Sequence, residues 1–240
     1  MIRPTVMISL GSEPLVEATF LERPNRFLIR AALLNGGGPV EAHLPDPGRL
    51  REILVPGARL FLRPAAGKHR RTRWTLTLAE SPGGEGLVSL DTTLPNRLVH
   101  KALESSALPE FREWTLERAE ATVGGSRFDF LLRGPSQLLV EVKSVTLVED
   151  GVGLFPDAVT ARGTRHVREL SSVARKDGWD AAVLFILRRE DGREIRAAPS
   201  IDPAFAEALS EAREAGVRVL GRRCRVSLEG VELGDPLPAG

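Results

Sequence analysis

The sequence predicts a small all-β part followed by an α/β part. Gly and Pro divide the first ~80 residues into five short segments in which apolar and polar residues alternate, as in half-buried strands. A stretch dense in Gly and Pro, Ser81 to Leu87, then breaks any regular element. Beyond it, from about Asp91 to Arg188, the apolar pattern predicts the order α, β, β, β, α, β. We therefore assign residues 1–82 to an all-β domain and residues 83–240 to an α/β domain.

The composition is that of an ordinary globular protein. The chain has 240 residues, of which 42% are hydrophobic and 27% charged, which is enough for one large or two small domains. No apolar run reaches the ~20 residues needed to cross a bilayer, and Glu13 and Pro14 interrupt the apolar patch near the start. The single cysteine, Cys224, excludes an intrachain disulfide and a cysteine-based zinc site. We therefore expect a cytoplasmic protein with no membrane partner.

The first strands predict a small barrel. The pattern alternates in "PLVEATFLERP" and "NRFLIRAALLNG", which a Pro24-Asn25 turn separates, and it continues in "GPVEAHLP", "ARLFLRPA" and "TRWTLTLAES". Five short strands in this length favour a barrel of the OB type over a sandwich. Such barrels bind single-stranded nucleic acid or oligosaccharide on one face, so the fold alone does not decide the function.

The second part predicts helices and strands in alternation. "DTTLPNRLVHKALESSAL" has helical spacing, and "TLERAEAT", "RFDFLLR" and "QLLVEVKSVTLV" follow as strands. A polar loop, "EDGVGLFPDAVT", leads to a second helix that we expect to end at Gly178. "DAAVLFILRR" is apolar throughout, as in a strand buried on both faces. Asp202 is the predicted N-cap of a third helix, and a strand in "VRVLGRRCRVSL" follows it.

Three charged residues lie inside the two most apolar of these strands. Glu141 and Lys143 are two residues apart and so share one strand face, since alternate residues of a strand point the same way. "RGPSQ" is a turn signal, so the two strands pair antiparallel and bring Asp129 beside Glu141. In a regular strand, Phe128 and Phe130 would both face away from Asp129.

This arrangement predicts a metal site. Two adjacent carboxylates repel each other unless a cation lies between them, and hard divalent cations bind carboxylate oxygens and keep several waters. We therefore predict Asp129 and Glu141 as ligands of Mg²⁺ or Mn²⁺. Lys143 is the third catalytic residue, since its charge can act on an attacking water or on a phosphate. The alternative is an ion pair on a solvated strand face, because an acid-x-lysine triplet is common by itself.

The order of elements around these residues resembles the restriction-endonuclease-like, PD-(D/E)XK superfamily, with Asp129, Glu141 and Lys143 at its motif positions. Nearly the whole chain also resembles the SfsA family, the sugar fermentation stimulation proteins. Seven blocks carry this resemblance: "RPNRFLIR", "AHLPDPGRLREILVPGARL", "LPNRLV", "GGSRFDFLL", "VEVKSVTL", "FPDAVTARGTRHVREL" and "DPAFAEAL". The resemblance implies an OB-like domain, a PD-(D/E)XK-type domain with a central mixed sheet, DNA binding, and a role in regulating sugar metabolism.

Several other residues are candidates for the site or for nucleic-acid contacts. Two acids, Glu104 and Glu120, are candidate additional ligands. Simple solvent exposure explains Glu104 better, whereas a charge at a strand edge explains Glu120 equally well. The candidates for contacts with nucleic acid are Arg49 in a Pro-rich turn; Arg70, Arg71, Arg73 and Trp74 in the basic segment "GKHRRTRW"; Arg127 beside the first acid; and Arg162, Arg165 and His166 near the start of the second helix. The competing interpretations are a structural turn, a solvated loop and a solvated helix face.

The leading hypothesis is thus a DNA-binding protein with a Mg²⁺-dependent, nuclease-like site. A non-catalytic DNA-binding regulator that retains the fold is the alternative. A sugar-processing enzyme fits less well, because a glycosidase needs two carboxylates and no lysine.

Overall fold

The computed structural model describes residues 5–65, 67, 70–84 and 86–240. The strands of the first part are β1 (Met7–Ser9), β2 (Val16–Asn25), β3 (Leu28–Leu33), β4 (Gly38–His43), β5 (Arg59–Pro64), β6 (Trp74–Glu80) and β7 (Leu87–Ser89). The elements that follow are α1 (Leu94–Glu104), β8 (Thr115–Val123), β9 (Ser126–Arg133), β10 (Gln137–Val145), β11 (Val148–Glu149), β12 (Val152–Phe155), α2 (Ala161–Ala174), β13 (Trp179–Leu187), β14 (Glu194–Ala197), α3 (Pro203–Glu214), β15 (Arg218–Val226) and β16 (Gly230–Leu237).

The first domain is a closed five-stranded barrel, which confirms the predicted OB architecture. Its strands pair in the order β4-β3-β2-β5-β6, and a parallel pairing between β4 and β6 closes the cylinder. The inward positions of the alternating strands fill it with apolar side chains, including the fully buried Ile29, Leu60 and Leu76. The alternation in the sequence therefore produces one enclosed core.

The second domain is built on a seven-stranded mixed sheet, as predicted. The strand order is β1-β16-β15-β13-β10-β9-β8, with β10, β13 and β15 parallel and the flanking strands antiparallel. Helix α1 packs on one face, where Leu98 contributes to the core that contains Val140. Helices α2 and α3 cover the other face, where Leu170 and Phe205 share a core with Leu139. Because both faces are covered, the central strand β13 is apolar throughout.

Strand pairing crosses the predicted domain boundary twice. The boundary between residues 82 and 83 falls between β6 and β7, and these two strands pair with each other. Strand β1 lies before the barrel in the chain but pairs with β16 at the edge of the large sheet. The barrel is thus flanked in the chain by two segments of the α/β sheet.

Three local expectations were wrong. Pro24 and Asn25, predicted as the turn after the first barrel strand, lie at the end of β2, and the turn is formed by Arg26 and Phe27. The loop after β10 contains the short strands β11 and β12, and β12 pairs with β14 in a separate three-stranded sheet. These strands are too short to show a periodic pattern. Helix α2 ends at Ala174 instead of Gly178, and Gly178 adopts a φ of +75° in the turn that enters β13. None of the helices in the described ranges has the length and apolar composition required to cross a membrane.

A buried ion pair joins the two domains. Asp46, in the loop after β4, pairs with Arg188 at the end of β13, and both side chains are almost fully enclosed. Next to it, the backbone N–H of Arg49 donates to Oδ2 of Asp157 at 2.8 Å. Arg188 keeps two buried nitrogens, Nε and Nη1, that have no partner among the described residues. The junction is therefore polar, and the charges of this pair are balanced.

Candidate metal and catalytic site

The pairing of β9 with β10 brings the two predicted metal ligands together. The antiparallel ladder ends at the pair of Phe130 with Val140, so its next step places Asp129 opposite Glu141. Beyond that point the N–H of Val142 donates to a side chain: Oδ2 of Asp129 accepts its hydrogen bond at 2.7 Å. The carboxylate is thereby held in the gap where the ladder opens.

The side chains of β9 stop alternating regularly between the two faces of the sheet at Asp129. Phe128 packs in the core under α2 and α3, whereas Phe130 packs in the core under α1. The expectation that both rings share a face was therefore wrong, since residues two apart do so only in a regular strand. Opposite Asp129 on β8 lies Glu120, which has a φ of +53°, a conformation that non-glycine residues rarely adopt. An irregular backbone on both strands thus frames the carboxylate.

Glu141 is buried, and its two oxygens have different surroundings. Its Oε1 accepts a hydrogen bond from Nζ of Lys143 at 2.7 Å and lies 2.8 Å from Nδ1 of His166, which donates to it when Nδ1 carries the hydrogen. Its Oε2 is buried and has no partner among the described residues. A buried carboxylate oxygen is costly without a donor or a cation, so Oε2 is the atom with unused binding capacity.

Asp129 is held on its other side by α1. Nδ2 of Asn96 donates to its Oδ1 at 2.6 Å. Burial, and then the nearby charge of Glu141, raise the pKa of the Asp129 carboxyl above its ordinary value, although two hydrogen bonds and Lys143 oppose this shift. Sequence reasoning missed Asn96. Its one signal was its place in the block "LPNRLV", on a helix whose neighbouring residues Leu98 and Val99 are apolar and buried.

The balance of charge at the site favours a cation. Two carboxylates, Asp129 and Glu141, face one ammonium group from Lys143, while His166 adds a positive charge only if it is protonated. Among the described residues, no group of three or more His, Cys, Asp and Glu side chains is arranged to hold a metal ion. Two carboxylates are nevertheless the ligand set with which Mg²⁺ commonly binds, because this ion retains several of its waters.

The side chains of the other two predicted acids are exposed and take no part in the hydrogen bonds of this cluster. The side chain of Glu104 is 61% exposed and its Oε1 lies 3.8 Å from Nε2 of His100, one helical turn earlier. The side chain of Glu120 is exposed, and its Oε2 lies 3.5 Å from Nη1 of Arg127. Both acids therefore have the exposed positions that the competing interpretation described.

The predicted contacts on α2 separate into two groups. Arg162 and Arg165 are exposed, and Arg165 lies 3.9 Å from Glu169. Helical spacing predicted that His166 shares an accessible face with Arg162 and Glu169, but only 3% of His166 is accessible. The helix packs that side onto the sheet, where the ring of His166 lies 5.6 Å from that of Phe128. The histidine therefore belongs to the carboxylate cluster and not to a surface that a polymer can reach.

The predicted contacts on the barrel lie at its surface. Arg70, Arg71 and Arg73 are exposed, whereas Trp74 is half-buried and packs against the barrel core. Arg49 is exposed at the domain junction. Lys68 and His69, the other cationic or titratable members of the basic segment, lie outside the described residues.

Comparison with known proteins supports both domains. A family model described as the sugar fermentation stimulation protein RE domain matches residues 93–230, and one described as the SfsA N-terminal OB domain matches residues 21–90. The sugar fermentation stimulation protein homolog of Shouchella clausii is 45% identical over 94% of this chain and 97% of its own length. That of Chloroflexus aurantiacus is 45% identical over 97% of this chain and 88% of its own. The solved structure of SfsA from Pyrococcus furiosus in complex with Ca²⁺ matches with a TM-score of 0.83 at 31% identity, covering 97% of this chain and 99% of that one.

Proposed function

Because the chain belongs to the sugar fermentation stimulation protein (SfsA) family, we propose that it binds DNA and cleaves phosphodiester bonds with Mg²⁺ or Mn²⁺ at Asp129, Glu141 and Lys143. The observation that carries this proposal is the unpartnered, buried Oε2 of Glu141 beside a second carboxylate whose pKa is raised. A divalent cation between the two would satisfy the oxygen and remove the repulsion.

The residues present fit such an ion. Asp129 and Oε2 of Glu141 would hold it, and their hard carboxylate oxygens suit Mg²⁺, Mn²⁺ and Ca²⁺ alike. The relative from Pyrococcus furiosus was solved in complex with Ca²⁺, which supports a divalent-ion site in this family. When bound, the ion would supply Lewis-acid polarisation of a phosphoryl oxygen.

The remaining side chains of the cluster each have a defined task. Lys143, whose Nζ is held 2.7 Å from Oε1 of Glu141, places a buried positive charge where negative charge develops on a phosphate. His166 and Lys143 both engage Oε1, so Oε2 would be available to the proposed ion. Asn96 fixes the other ligand by donating to Oδ1 of Asp129. Lys143 is thus the candidate catalytic cation, and Asn96 and His166 are positioning residues.

In this proposal, exposed arginines near the site bind the phosphates of the DNA. Arg127 is exposed on β9, two residues before Asp129, and Arg162 and Arg165 are exposed on α2, whose His166 reaches Glu141. The guanidinium group suits phosphate because its donors form a planar fork.

The test compares cleavage by wild type, Lys143→Ala and Asp129→Ala, purified side by side with Mg²⁺ or Mn²⁺. Each substitution should lower metal-dependent cleavage of DNA by about 10²-fold or more, because each removes a charge that acts in the transition state. Lys176→Ala is the matched control, since it removes an exposed lysine of the same domain and should cleave like wild type. DNA binding without metal should persist in all variants.

Equal cleavage by wild type and Lys143→Ala would point to a contaminating nuclease and would rule out the catalytic assignment. If wild type binds DNA but cleaves no substrate with either ion, the alternative holds: the protein is a non-catalytic, DNA-binding regulator of sugar metabolism genes that retains a nuclease-like fold.

A further inference from the structure

The barrel carries a second candidate site, far from the carboxylates in sequence. A groove of about 860 Å³ opens beside the turn between β2 and β3, within the range of ~300–1,000 Å³ that ligand sites occupy. The residues that matter in its lining are a polar turn residue, an aromatic ring, a histidine and three arginines: Asn25, Phe27, His43, Arg26, Arg70 and Arg71.

The aromatic ring of Phe27 stands at the tip of this turn. Asn25 pairs with Leu28, so Arg26 and Phe27 are the two turn residues, and Oδ1 of Asn25 accepts a hydrogen bond from the N–H of Phe27 at 2.9 Å. Phe27 is 49% exposed. The guanidinium carbon of Arg26 lies 5.9 Å from the ring centroid. A large apolar ring fixed in solvent by a rigid turn has no role in the barrel core, so it is available to a ligand.

The groove around this ring is positively charged. Within the described ranges, no carboxylate pairs with Arg26, Arg70 or Arg71, and Arg70 is oriented by a hydrogen bond from its Nη2 to Oγ1 of Thr75 at 3.0 Å. Glu41 also lines the groove; Nε of Arg30 lies 3.2 Å from its Oε1, although Arg30 is shared with Glu22. Three arginines therefore face one carboxylate whose charge is partly neutralised. The net positive charge favours a polyanion over a neutral oligosaccharide.

We propose that the groove binds single-stranded nucleic acid, with an unpaired base stacked on Phe27 and neighbouring phosphates bound by Arg26, Arg70 and Arg71. Stacking on an aromatic ring requires a base that is not already stacked in a duplex, which is how sequence-tolerant single-strand binders work. This inference rests on the proposed function, which supplies the binding of nucleic acid. It adds that the bound form is single-stranded and that one of its bases contacts Phe27. It also replaces the half-buried Trp74 with Phe27 as the stacking residue.

The test measures affinity by fluorescence anisotropy, without metal, for one labelled oligonucleotide and for its duplex. Phe27→Ala should weaken single-strand binding by about tenfold and leave duplex binding nearly unchanged. Phe27→Trp should retain the affinity, because it preserves the ring face. Leu34→Ala is the matched control, since Leu34 is an exposed apolar residue (58%) of the same barrel outside the groove. Arg71→Ala should reduce the slope of log affinity against log salt by about one.

Equal affinity of wild type and Phe27→Ala for the single strand would overturn the groove assignment, even if the protein binds and cleaves DNA, and the proposed function would then stand. An equal loss for both forms of DNA would also overturn it, because it would indicate phosphate contacts alone. If instead the single strand binds in a Phe27-dependent manner and no metal-dependent cleavage occurs, the groove stands and the proposed nuclease activity fails.

Discussion

Two buried groups of charged side chains in this molecule differ in which atoms lack a partner. At the domain junction, Asp46 and Arg188 form a pair whose charges cancel, and the atoms left without partners are guanidinium donors. In the α/β domain, Asp129 and Glu141 outnumber the single ammonium group beside them, and the atom left without a partner is a carboxylate oxygen. The ion pair at the junction is neutral as a whole, so a structural role is enough to explain it. The proposed metal ion would offset this excess of buried negative charge at the carboxylates.

The difference is also one of energy. Burial and the charge of Glu141 raise the pKa of Asp129, so ionising this carboxyl costs more free energy in the folded protein than in the unfolded chain. Backbone irregularity adds to this cost, because Glu120 opposite Asp129 holds a positive φ. Proteins retain such unfavourable arrangements where function requires them. Removing one member of the junction pair would leave a buried charge without its partner, whereas the two carboxylates already repel each other in the metal-free protein.

The largest expected effect is therefore at the junction. Arg188→Met leaves the Asp46 carboxylate buried without its cation, and breaking a buried pair in this way costs about 3–5 kcal/mol. Urea unfolding monitored by circular dichroism measures the loss. Arg133→Met is the control, because Arg133 is exposed and paired with Glu117 and so should have a much smaller effect. Similar losses in the two variants would show that the junction pair has no special role.

An intermediate effect is expected from metal. At a concentration of Mn²⁺ of about 100 times its Kd, wild type should gain about 2.7 kcal/mol of stability, because the ion binds only the folded state. Asp129→Ala should lose this gain, and Arg188→Met should keep it, even though it starts from a lower stability. A shift in melting temperature with Mn²⁺ that is as large in Asp129→Ala as in wild type would place the ion elsewhere.

The smallest effect concerns pH. Because the pKa of Asp129 is raised in the folded state, metal-free wild type should lose stability relative to Asp129→Asn as pH rises from the ordinary aspartate range through the raised pKa. Asp129→Asn also loses one hydrogen-bond acceptor, but this loss is the same at every pH. It therefore does not affect a comparison of the slopes of the free energy of unfolding against pH. With Mn²⁺ present the sign should reverse, since the ion binds the ionised carboxylates. Parallel stability curves for the two proteins between about pH 4 and 7 would contradict the raised pKa.

The sequence predicted the parts of the site that lie on regular elements. Glu141 and Lys143 share a face because strand periodicity determines it, and the turn before β10 determines the pairing with β9. The five-stranded barrel followed from short alternating segments separated by Gly and Pro.

The parts that periodicity does not encode were missed. Asn96 reaches Asp129 across a helix-to-sheet contact that depends on how α1 packs. His166 was assigned to an exposed face because helical spacing identifies which residues share a side but not which side faces the sheet. Phe27 escaped attention because an aromatic residue between two strands looks like a core residue until its 49% exposure is known.

The pairing of β1 with β16 has a consequence for how the protein is made. Met7 faces Glu232, more than two hundred residues later, so β1 has no pairing partner until β16 has been synthesised. At ~5–20 residues per second, that interval lasts roughly 10–45 s. The barrel strands pair with near neighbours in the chain and can assemble within it. During synthesis the barrel can therefore form while Met7 to Ser9 still lack the strand with which they pair in the large sheet.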